Sequence, residues 1–184
     1  MIENILLTSP IIVNHVVQSI ESEPMLFDEL YAVLFHSNPK IIWRAAWVLE
    51  KVQRKMPYLL TDKKIEEILS LALKTNQNGL RRSLLLIIKN SRKYELFSVD
   101  FINQCFEWMI SPQQPYAIQV YSMYILCDYC AIYPEFTNEL IVCLENAPQA
   151  DYSKSFVAAR RKVVKILGKK PYLCKKLRHE HPNI

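Results

Sequence analysis

Glycine is nearly absent: Gly79 and Gly168 are the two in 184 residues, roughly 1% against a usual 7% or so. That leaves neither a glycine-rich dinucleotide fingerprint nor a phosphate-cradling loop, and it excludes the nucleotide enzymes that depend on them. Histidine is scarce as well. Only His15 and His36 precede the last sixteen residues, neither in a recognisable catalytic motif. No acid pair in a cleft can be argued from spacing, so a hydrolytic site has no candidate. The apolar runs are far too short to span a bilayer. Residues 1–17 carry Glu3 but no Lys or Arg, unlike the basic start of a secretory leader. A cytoplasmic protein is the expectation.

What is present suits a folding chain. Hydrophobic residues make up 51% and charged residues 22%, ordinary values for a soluble globular domain. The length favours one domain, placed over residues 1–168, with a basic tail over 169–184. Cys105, Cys127, Cys130, Cys143 and Cys174 are odd in number and lie mostly in apolar stretches, which fits reduced, buried thiols better than a disulfide framework. The net charge of +5 permits an acidic partner without requiring one.

Prolines at 24, 39, 57, 112, 115, 134 and 148 punctuate the chain, and the segments between them carry 3.6-residue apolar periodicity rather than alternation. The spacing predicts helices near 9–20, 24–35, 38–56, 61–74, 78–90, 97–110, 114–132, 135–146 and 153–167. Segment 38–56 is the clearest: Asn38 stands as N-cap, Pro39 opens the helix, and Ile41, Ala45, Val48, Leu49 and Val52 form one stripe. Val48, Ile87, Leu126 and Ile166 recur at steps close to the length of a two-helix repeat. The helices 38–56, 78–90 and 153–167 carry most of the basic residues, Arg81, Arg160 and Arg161 among them, while the alternate helices are more acidic.

Asn38-Pro39 followed by Arg44-Ala45-Ala46 and Leu49 resembles the first helix of a HEAT-like or armadillo-type repeat, in which paired small residues let neighbouring helices approach and Leu fills the gap between layers. Other repeats keep only the pattern, with Arg81-Arg82-Ser83 and Tyr121-Ser122-Met123 at the corresponding places. The general appearance is similar to small bacterial HEAT-like proteins. The resemblance implies an all-α fold, a right-handed α-α superhelix of four to five antiparallel helix pairs. It also implies a non-enzymatic scaffold that binds another protein or peptide and needs no cofactor.

A candidate surface lies on helix 38–56. At 100° per residue, Trp43, Trp47, Glu50 and Arg54 point away from the apolar stripe. Trp43 and Trp47, with Lys40, Arg44, Lys51 and Arg54, make an aromatic and basic face that Arg82 and Lys89 continue one repeat on. Such a face can grip an acidic peptide or stack nucleic-acid bases. The alternative, favoured for the rings themselves, is packing against the adjacent first-position helices.

The competing functional reading is a nucleic-acid binder related to HEAT-like alkylpurine DNA glycosylases. It draws on the basic helices and tail and on Tyr124 with Asp128 one turn on, although packing roles are favoured for that pair. Cys127-Asp128-Tyr129-Cys130 has redox spacing but lies mid-helix, where packing cysteines are expected. Cys174, His179 and His181 are a weak zinc signal, with solvated tail residues favoured.

Overall fold

The computed structural model describes residues 13–168. Among them are nine α-helices and no strand: α1 Val13–Ser22, α2 Leu26–Ala32, α3 Pro39–Lys55, α4 Asp62–Lys74, α5 Asn78–Ser91, α6 Val99–Ile110, α7 Tyr116–Ile132, α8 Thr137–Asn146 and α9 Lys154–Gly168. Each matches an expected helix to within a few residues. The first part of the segment expected at 9–20, and the tail with Cys174, His179 and His181, lie outside the described residues. Helix 24–35 is a correction: its last turn, Val33–Phe35, tightens to 3-10 geometry.

The boundaries follow from local chemistry. Asn38 Oδ1 accepts the Lys40 N–H at 3.0 Å, with Pro39 in the first turn where its missing N–H costs nothing. Thr61, Ser98 and Ser153 accept backbone N–H groups in the same way at the starts of α4, α6 and α9. Pro57 and Pro134 open single 3-10 turns directly after α3 and α7.

The chain divides into two compact units between Leu96 and Phe97. In the first, α3 is central. It packs against α1, the end of α2 and α5, and α5 in turn packs on α4. Its core includes Ile20, Leu30, Leu34, Leu49, Ile65, Ile68 and Leu84, all shielded from solvent. Ala45 and Ala46 are fully buried beside Val48 and Leu49, so the small pair sits where close helix approach was expected. Tyr31 ties α2 to α4: its hydroxyl donates to Glu67 Oε2 at 2.7 Å and lies 3.0 Å from the Lys64 carbonyl. Burial, then the bond to Glu67, pushes that phenol well above its ordinary pKa.

In the second unit α7 is central, packed by α6, α9 and more lightly by α8. Phe101, Cys105, Met109, Ile118, Met123, Ile125 and Phe156 form its core. Burial pushes the Cys105 thiol up, opposed by a hydrogen bond with Ser122. Cys105, Cys127 and Cys130 are buried free thiols and Cys143 is half-buried.

The repeat anchors Val48, Ile87 and Leu126 are each buried in their own unit. Ile166 is only half-buried, because Val163 and Leu167 take the inward positions of α9. Within their units α4–α5 and α6–α7 pack as tight hairpins. The connectors explain it: three residues join α4 to α5, and a short link forces immediate packing.

Candidate functional site

On α3 the buried residues run from Val48 through Ile41, Ala45, Leu49 and Gln53 to Glu50, an arc of roughly half the helix or more. The remaining arc holds Lys40, Trp43, Arg44, Trp47, Lys51 and Arg54, the face expected from the sequence. Trp43 is 43% exposed and Trp47 half-buried. The two rings stack on each other with centroids 6.3 Å apart and planes 11° from parallel. Core packing of the rings is therefore met only halfway, and the reason is Gly79. A Cβ at that position would lie 3.1 Å from Trp43 Nε1 and 3.2 Å from Cδ1, so the indole edge rests on bare backbone at the start of α5. The Trp43 ring is thus held by Gly79 at its edge and by Trp47 through stacking, and is still 43% exposed. The sequence signal for this seat is a glycine near a helix start in a chain with two glycines.

Glu50 is a correction. Helical geometry turns it outward beside the tryptophans, but it is 3% exposed. Its Oε1 accepts from Arg54 Nη2 at 2.7 Å and lies 3.8 Å from Lys51 Nζ. Two of the expected cations thus meet an internal carboxylate, and the lower end of the face is closer to neutral than its composition suggests. Lys40 and Arg82 are exposed; Arg44 and Lys89 are half-buried and engaged. Lys40 and Arg54 sit fourteen positions apart on one helix, or about 20 Å. The face is a strip with an aromatic middle rather than a pocket.

Arg81, counted with the basic residues, is not on this strip. It is 8% exposed, and its guanidinium donates to the Ala72 carbonyl at 3.3 Å and to the Thr75 carbonyl, two acceptors left over at the end of α4. Desolvation lowers its pKa from the ordinary arginine value. Arg160 does the same in the second unit, its Nη1 donating to Ala147 O at 2.6 Å and Leu144 O at 3.3 Å at the end of α8. Gln119 Nε2 donates to Ser111 O at 2.7 Å at the end of α6. Three hairpins are thus closed by one device: a side chain of the second helix caps the C-terminus of the first.

Elsewhere, Tyr124 is half-buried with Lys162 Nζ 5.6 Å from its ring centre, and Asp128 is half-buried and engaged. Cys127 and Cys130 are buried within α7, far from a helix N-terminus that would activate a thiol. Among the described residues no group of three or more His, Cys, Asp and Glu side chains could hold a metal ion, and no helix is long and apolar enough to cross a membrane.

Comparison with curated proteins and with solved structures returns no match. The family model for the HEAT repeat domain matches residues 8–167. All nine helices fall within that span apart from the terminal Gly168 of α9, and the chain belongs to the HEAT repeat family.

Proposed function

We propose that the protein is a non-enzymatic scaffold that binds another protein or a peptide through the outer face of α3 and the adjoining part of α5. Trp43 and Trp47 supply the apolar anchor. Exposed Lys40 and Arg82 supply a basic border that favours an acidic partner, with Arg44, Lys51, Arg54 and Lys89 beside them and engaged within the fold. The observation that carries this reading is the stacked tryptophan pair, with Trp43 seated on Gly79 and 43% exposed. Large aromatic rings held in place and partly open are what interface anchors use, since they offer area at low ordering cost. HEAT repeats offer such helix surfaces generally. The reducing cytoplasm is the compartment proposed, in keeping with the free buried thiols of Cys105, Cys127 and Cys130.

A photo-crosslinking residue installed in place of Trp43 tests the reading in cells. Crosslinks to a discrete protein, absent when the same residue replaces exposed Lys63 on α4, are the expected result. Crosslinks to nucleic acid, or the same adducts from both positions, would overturn it.

A further inference from the structure

A second candidate surface lies wholly within the other unit. Leu144, Glu145, Arg160, Arg161, Val164 and Lys165 line an open groove of 460 Å³ along α8 and α9. Arg161 also borders a neighbouring hollow of 270 Å³ that contains Lys154 and Val157. The two hollows share Arg161 on their borders. The groove's 460 Å³ is within the range of natural ligand sites, a few hundred Å³ and upward.

The chemistry of the lining is specific. The apolar surface of the floor comes from half-buried Val164, with Leu144 and Val157 buried behind it. The rim is basic. Lys154 and Arg161 are exposed, as is Lys165 one turn beyond Arg161. No ion pair joins these three to an acid among the described residues, unlike Lys51, Arg54, Lys55, Lys64 and Lys93, which all meet carboxylates. Arg160 is held against the end of α8 by its bonds to Leu144 O and Ala147 O, so the groove's wall is fixed by the same cap that closes the hairpin. Glu145 is the one acid on the rim.

We infer that this groove, with the hollow beside it, seats an extended acidic peptide segment in which carboxylates alternate with apolar side chains. The carboxylates meet Arg161, Lys165 and Lys154, and the apolar side chains rest on Val164. Charge complementarity selects the acid, and the apolar floor selects a peptide over a polyphosphate chain. A nucleic-acid backbone is uniformly anionic and gains nothing from Val164. An alternating peptide uses both features.

The full chain is titrated into a short fluorescein-labelled peptide of alternating Glu and Leu, with anisotropy as the readout. Matched probes replace Leu by Ser, or the whole peptide by labelled oligothymidine. Arg161→Glu is expected to weaken binding by at least about tenfold, and the Ser probe by about fivefold. Lys63→Glu makes the same charge change on the first unit and is expected to hold affinity within about twofold. Arg161 is exposed, so the variant keeps its fold; Arg161→Gln, with circular dichroism beside it, serves if it does not. Absence of peptide binding, equal losses in the Arg161 and Lys63 variants, or oligothymidine binding that matches the peptide's would each overturn the inference. The crosslinking at Trp43 is read independently, so failure at one surface leaves the other standing.

Discussion

Replacing Arg81 by Ala removes the cap on α4 without touching the apolar core. Two carbonyls, those of Ala72 and Thr75, lose their donor in a place where Arg81 itself is 8% exposed and water has little access. A hydrogen bond from a charged donor contributes about 1.5–3 kcal/mol, and part of that is offset because the buried guanidinium no longer has to be desolvated and ordered. The net expectation for Arg81→Ala is a loss of about 2–4 kcal/mol, with the side chain's packing along α4 included. Lysine keeps the charge but not the planar fork that reaches two acceptors, so Arg81→Lys recovers about half. Urea unfolding followed by circular dichroism measures the size of the loss. Hydrogen exchange over the last turn of α4 shows its place, since the effect should appear there first. Arg82→Ala, one residue on and exposed, is the matched control and should lie within about 0.5 kcal/mol of the parent. Arg81→Ala unfolding together with that control would refute the capping account and return Arg81 to the surface.

Arg160→Ala should cost a smaller amount, about 1–3 kcal/mol, because Arg160 is only half-buried; exchange should quicken at the end of α8 and not α4. Arg92 closes α5 at φ 56°, in the left-handed region, so Arg92→Gly should raise stability by about 0.5–1 kcal/mol in the same urea assay. The phenol of Tyr31 titrates above its ordinary value when folded. Its contribution is therefore complete below pH about 10 and is lost as pH rises beyond that, and Tyr31→Phe should flatten the alkaline limb of a stability–pH curve. Gly79→Val should push Trp43 off its seat and shift tryptophan emission to the red, and unchanged emission would mean that the ring is not resting there.

The helices were legible because their signals are local. Asn38-Pro39 marks a start by side-chain chemistry that acts within three residues, and the stripe of Ile41, Ala45, Val48 and Leu49 states the period directly. The orientation of the strip on α3 was legible for the same reason. Arg81 was not, because its acceptors are backbone carbonyls, which carry no residue identity. A buried capping arginine and a solvated one are written with the same letter. The three-residue connector before α5 was the available clue, since a short link brings the end of one helix against the first turns of the next. Glu50 escaped for a related reason: at the edge of a wide buried arc, a carboxylate can turn inward when Arg54 one turn on supplies its partner. A helical wheel drawn from apolar residues alone does not register that pair.

These reassignments change what the positive charge can do. Arg81 and Arg160 close hairpins, Lys51 and Arg54 answer Glu50, Lys55 pairs with Glu21 at 2.8 Å, and Lys93 pairs with Asp62. Several of these cations are thus engaged within the protein, Arg81 and Arg160 at helix ends and Lys51, Arg54, Lys55 and Lys93 with carboxylates. Nucleic-acid binding draws its affinity from many phosphate contacts made at once, so it is weakened by every cation committed internally. A peptide with a few carboxylates and an apolar anchor is not, because its recognition needs one or two well-placed cations beside a surface that excludes water. Both exposed features, the Trp43–Trp47 strip and the Arg161 groove, have that composition: few charges, each next to an apolar seat.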